Sequence, residues 1–169
     1  HHASCPHDQV GALLEQVRQS RSTDSVKWAF EFIVLTAARS GEVRGAFWEE
    51  IDAKTKTWTI PKERMKAGRE HSVPLSTAAW DVLQQAQGRW PKGAEPSGLI
   101  FPSEKNKPIS DMTLTQLMRR MKQTYTIHGF RASFRTWGAE IGHFEHDMLE
   151  IALSHIVGDA TVRAYHRSD

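Results

Sequence analysis

A histidine, three arginines, a lysine-rich segment and one late tyrosine are the residues whose spacing can do chemistry. His128, Arg131 and Arg135 stand three and four residues apart, which aligns them along one side of a helix. Near a helix start such a set favours an anion, because the free backbone N–H groups and the helix dipole add to its charge. Arg131 has the fork that grips a phosphate through two parallel hydrogen bonds. The plain alternative is a solvated basic face. Arg39 ends an apolar run and precedes Ser40-Gly41-Glu42. Glu42 is spaced to orient its guanidinium; the plain alternative is a cation stabilising a helix end. Lys54, Lys56, Lys62, Arg64, Lys66 and Arg69 crowd a short stretch that holds one acid, Glu63. Such a stretch can lie along a phosphate backbone, a lysine at its tip can deliver a proton, and the same lysines can merely guard an edge strand. Leu153-Ser154-His155 is followed ten residues later by Tyr165. A tyrosine hydroxyl attacks phosphorus once cations offset its high pKa; packing of its ring in the core is the other reading.

The overall balance argues weakly against an anionic partner. The 169 residues carry 22 Lys and Arg against 20 Asp and Glu, a net +2. The distribution argues otherwise. Residues 51–140 hold fifteen basic and eight acidic side chains, whereas both flanks are acidic. One basic face is compatible with that asymmetry. The length fits one domain, and no apolar run approaches a membrane span. The single cysteine, Cys5, excludes an internal disulfide framework and a cysteine-rich zinc module. With no secretory signal at the start and a single cysteine, the expected compartment is reducing and cytoplasmic.

The elements that must position these residues are mostly helical. Asp8 is the expected N-cap for a helix over roughly 9–20, and Val10, Leu13, Leu14 and Val17 form its apolar stripe. A second helix starts near Thr23 or Asp24 and stops at Ser40-Gly41. Ile51, Thr57–Ile60 and 71–75 alternate as short strands do. Further helices are expected after Ser76, after Ser110 or Asp111, over about 128–142, and over about 146–154 and 159–166. Trp28, Trp58, Trp80 and Trp137 fall in apolar patterns and are expected in the core. The expected class is α+β, mostly helical with a small three-stranded antiparallel sheet.

Each signal alone is bland, but their order is specific. Arg39-Ser40-Gly41-Glu42, a basic hairpin with Arg64-Met65-Lys66, His71-Ser72-Val73-Pro74-Leu75-Ser76, His128-Gly129-Phe130-Arg131, Leu153-Ser154-His155 and Tyr165-His166-Arg167 run in sequence. This series resembles the tyrosine recombinases, the phage integrase family. Its wording, including Trp48-Glu49-Glu50-Ile51-Asp52, is similar to the prophage and genomic-island branch. The resemblance covers nearly the whole chain.

The resemblance implies a tyrosine-recombinase catalytic-domain fold and a role for each matching residue. Arg39 and Arg131 would hold the scissile phosphate, with Glu42 supporting. Lys66 would protonate the leaving oxygen. His128 and His155 would bind the phosphate or assist the tyrosine proton, and Tyr165 would be the nucleophile. It further implies strand exchange through a 3′-phosphotyrosine, with no metal, cofactor or ATP. The implied partner is double-stranded DNA at attachment sites, met by a tetramer of the full-length protein.

Only Ser168 and Asp169 follow Tyr-His-Arg, and nothing resembles the N-terminal DNA-binding domains of full integrases. The expectation is a catalytic-domain fragment over 1–169, monomeric alone, without those domains and without the C-terminal tail. Lys62, Arg64, Arg69, Arg119, Arg120 and Arg135 are the candidate DNA contacts. A type IB topoisomerase shares this chemistry and is the nearest alternative; a non-catalytic DNA-binding module is another. A metal held by His143, His146 and His155 is the weakest alternative, and no metal is expected.

Overall fold

The computed structural model describes residues 3–153. Helix α2 (Asp24–Thr36) is the axis on which the rest is built. Seven of its residues are buried, on more than one side, so α1 (Val10–Gln19), α4 (Thr77–Gln87) and α5 (Asp111–Arg120) can all pack against it. Thr23, Ser76 and Ser110 each turn a side-chain oxygen onto a backbone N–H three residues ahead. These caps start α2, α4 and α5 where the sequence offered them. A short helix α3 (Ser40–Arg44) follows α2. Helix α6 (Gly129–Glu140) and helix α7 (His146–Ala152) complete the described helices.

Strands β1 (Ile51–Asp52), β2 (Thr57–Ile60) and β3 (His71–Pro74) form an antiparallel sheet in the order β1-β2-β3. The expected α+β fold is therefore present. Trp58 pairs with Val73, and Ile60 with His71. Trp58 and Ile60 are fully buried; Phe32 lies against Trp58 and Phe101, with ring centroids 5.3 and 5.5 Å apart. On the far side of α2, Phe30 meets Phe130 of α6 edge to face at 5.6 Å. This contact docks α6 on the core. Among the described residues no helix is long and apolar enough to cross a membrane.

Three expectations need correction. Asp8 caps no helix: the Gln9 N–H bonds the Pro6 carbonyl, winding His7–Gln9 into a 3₁₀ turn, and α1 starts after it without a side-chain cap. Trp137 is 41% exposed and Ile141 58% exposed. Only the first turns of α6 face the core; further along, the ring of Trp137 lies between Phe134 and Phe144 instead. The amphipathic pattern is real, but the core ends before the helix does. Trp28 and Trp80 are half-buried, at the rim of α2 and α4 rather than inside. The expected helical piece at 159–166 lies outside the described residues.

Candidate active site

Helix α2 ends because Ala37 turns left-handed, at φ 54°. That reversal sets Arg39 at the N-cap of α3 and brings Glu42 back beneath it. The Glu42 carboxylate accepts the Arg39 backbone N–H at 2.9 Å and the Arg39 Nη1 at 3.1 Å. Glu42 is 5% exposed and Arg39 24% exposed, so the guanidinium is held from below while its rim meets solvent.

Arg131 arrives from α6, where it is buried. Its Nη1 donates to the Ala37 carbonyl at 2.6 Å, and its Nη2 donates to the Leu153 carbonyl. One side chain thus ties the end of α2 to the end of α7. Burial first, and the Arg39 charge second, push the Arg131 guanidinium down to about 10, against the pull of Glu42. It remains a cation at neutral pH. Arg135, one turn on, pairs with Glu150 at 2.8 Å. Three guanidiniums therefore face two carboxylates, leaving the cluster net positive in a poorly solvated place. Such a place favours an anion.

His128 occupies the N-cap of α6 and is exposed. It lines a groove of about 520 Å³ with Ser40, Gly41, Arg44 and Asp111. The histidine and the start of α3, next to Arg39, therefore share one concavity. Gly129 is required by close approach. A Cβ there would fall on the Ala3 carbonyl, because the first residues cross α6: Thr126 N–H donates to Ala3, and Ser133 Oγ to Cys5.

Lys66 lies on the exposed turn after the buried Met65, closed by the Gly68 N–H to the Met65 carbonyl at 2.9 Å. Arg64, expected as a phosphate contact, is turned inward instead. Its guanidinium is taken by both oxygens of Glu50 and by the Glu42 carbonyl. Arg120 bonds Ser22 Oγ at the start of α2, and Arg119 is its neighbour. Thirteen helical residues, about 20 Å at 1.5 Å each, separate Ser22 from the Arg39 end. Lys62 and Arg69 are exposed on the hairpin. His155 and Tyr165 lie outside the described residues.

One neighbour of the site was missed. His71, the first residue of β3, is half-buried; Glu42, Arg131 and Arg39 all act on its charge. Burial pushes its imidazolium below the usual range, and the two arginines push the same way. The signal was available: the period of two that puts Val73 inside puts His71 on the same face. Glu150, which meets Arg135 from α7, had no sequence signal beyond helical placement.

The family model described as Phage integrase family matches residues 4–169. The chain belongs to the phage integrase family. Among phage integrase relatives, Prophage integrase IntA of Escherichia coli (strain K12) is 34% identical over 166 residues, covering 96% of this chain and 39% of IntA. Prophage integrase IntZ of the same strain is 33% identical over 159 residues, covering 92% of this chain and 38% of IntZ. The chain thus spans about two fifths of the curated integrases it matches. A solved lambda integrase(75-356) dimer, bound to a COC' core site, superposes with a TM-score of 0.67. At 18% identity, that match covers 96% of this chain and 58% of the lambda chain. This chain and the lambda chain share a fold.

Proposed function

We propose that this chain is the catalytic domain of a site-specific DNA recombinase, an integrase that cuts and rejoins strands to move a mobile element. The observation that carries the reading is the convergence of Arg39, Glu42 and Arg131, with His128 in the groove beside them. The relatives' names, prophage integrases, point to the same activity. Double-stranded attachment-site DNA is the partner, with a tetramer on DNA formed by the full-length protein. This domain alone is monomeric and binds DNA weakly, since it offers one side of a clamp. It acts at the nucleoid of a bacterial host.

In this mechanism the Tyr165 oxygen attacks the scissile phosphorus. A P–O bond to tyrosine forms and the bond to the 5′ oxygen breaks, leaving a 3′-phosphotyrosine. Arg39 and Arg131 hold the non-bridging oxygens as charge builds on them, which is where fixed cations lower a barrier most. Arg131 has its carbonyl contacts to fix its plane; Arg39 has Glu42. Lys66 gives its proton to the departing 5′ oxygen. His128 and His155 bind the phosphate or take up the tyrosine proton. A 5′-hydroxyl from another strand then reverses the step on a new partner. The covalent link conserves the bond energy, so the exchange needs no ATP.

A nicked suicide substrate tests this, because the cut fragment diffuses away and traps the adduct. The full chain should form a covalent protein–DNA band. Tyr165→Phe should abolish the band and leave DNA binding intact. No band from the unaltered full chain, or a band that survives in Tyr165→Phe, overturns the reading.

A further inference from the structure

We propose that Arg64 is a positioning residue for Lys66: it locks the hairpin that carries the lysine onto the helix that carries Arg39 and Glu42. The proposal rests on the reading of Lys66 as the proton donor. Arg64 lies two residues before Lys66, at the end of the short 3₁₀ turn Lys62–Arg64. Its Nε donates to Glu50 Oε2 at 2.9 Å and its Nη2 to Glu50 Oε1 at 2.7 Å. This is a side-on pair, two parallel bonds that fix a plane. The same Nη2 donates to the Glu42 carbonyl at 3.1 Å. Glu42 is the residue whose side chain holds Arg39.

The acceptor end is equally fixed. Glu50 Oε1 also takes the Phe47 N–H at 3.2 Å and the Trp58 Nε1–H at 3.1 Å. Trp58 is fully buried in β2. Arg64 is thereby anchored to the sheet core on one side and to α3 on the other. Gly45 makes room for it: a Cβ there would stand 2.7 Å from Arg64 Nη1. Met65, 6% exposed, pins the next residue. The backbone entering Lys66 is therefore held at two successive positions, and the lysine stem swings from a fixed root.

A phosphate contact would ask something different of Arg64. Its side chain is only 21% exposed, and both Glu50 oxygens already share its charge. Losing a phosphate contact weakens DNA binding and flattens its salt dependence. Losing a positioning residue leaves both alone and slows the proton transfer.

The test compares single-turnover cleavage by the full chain on two nicked DNAs, identical except that the scissile 5′ bridging atom is oxygen or sulfur. A thiolate departs without a proton, because thiol pKa values lie near 8.5. Lys66→Ala is the reference, slowed by about 10² to 10⁴ on oxygen and restored on sulfur. Arg64→Lys, which keeps the charge but not the fork, should be slowed by about 10- to 100-fold on oxygen and restored on sulfur. Its affinity for DNA and its salt slope should match the parent's. Gly45→Ala keeps every donor and crowds the guanidinium most, with the Gly41 carbonyl next at 3.3 Å; it should repeat the pattern at about threefold to tenfold. An Arg64→Lys or Gly45→Ala chain slowed equally on both substrates, while Lys66→Ala is restored, overturns the proposal. So does weaker binding with a flatter salt slope in Arg64→Lys. Failure of sulfur to restore Lys66→Ala overturns the proton-donor reading itself.

Discussion

Glu42 holds Arg39 twice, once by the backbone N–H at 2.9 Å and once by the guanidinium at 3.1 Å. The two bonds act on different parts of one residue. The first fixes where the arginine leaves α3, and the second fixes where its fork points. A carboxylate that looks costly beside the proposed phosphate site is therefore what gives the arginine its aim.

Glu42→Gln should separate aim from charge. The amide still accepts one bond, but its NH₂ repels the other donor. Strand cleavage should slow by on the order of 10²-fold, the usual consequence of a misplaced catalytic group. DNA affinity should hold, because the cation is still there. Single-turnover adduct formation and a binding titration on the same variant check both parts. Unchanged cleavage would show that Arg39 is aimed by something else.

Arg131→Lys should fail in two ways at once. An ammonium cannot reach the Ala37 and Leu153 carbonyls together as the planar fork does. Losing one charged hydrogen bond costs about 2 kcal/mol, which lowers the melting temperature by about 4–8 °C in a domain of this size. Adduct formation should fall below detection even at temperatures where the variant is folded. Differential scanning fluorimetry and the suicide substrate read the two effects separately.

Gly129→Ala tests the crossing of the first residues over α6. The new methyl meets a backbone carbonyl, which cannot rotate away. Overpacking of this kind costs about 1–3 kcal/mol. Thermal unfolding should drop accordingly. An unshifted melting curve would mean that the Ala3 segment yields.

His71 predicts an acid sensitivity with a definite sign. The fold disfavours its protonated form, while the unfolded chain titrates at the usual 6.5. Above that pH the ring is neutral in both states and contributes no slope. As pH falls below it, the unfolded chain takes up a proton that the folded chain resists, so stability falls. His71→Gln should show a shallower loss between about pH 7 and pH 5.5 than the parent. Urea midpoints across that range measure it, and parallel curves for parent and variant would refute it.

How much of this was legible in the sequence depends on what each residue answers to. The strands Thr57–Ile60 and His71–Pro74 follow local alternation, and the caps at Thr23, Ser76 and Ser110 follow local hydrogen bonding. Both could be read along the chain. Asp8 and Trp137 could not, because their fates depend on how an incoming segment is pinned and on where the core stops. Arg39 and Arg131 stood out by motif, yet they are brought near each other by the left-handed Ala37, whose carbonyl takes Arg131 and which no composition rule marks. Arg64 shows the sharpest limit. On the sequence it is one more cation in a basic hairpin, and only its distance to Glu50 distinguishes a strut from a DNA contact.

The crossing of Ala3 over Gly129 carries a mechanical consequence. The chain's first described residues are stitched to α6 by backbone and hydroxyl bonds at Thr126 and Ser133. A tug applied at Ala3 is therefore not absorbed by a slack tether. It enters the fold beside His128, where α6 begins.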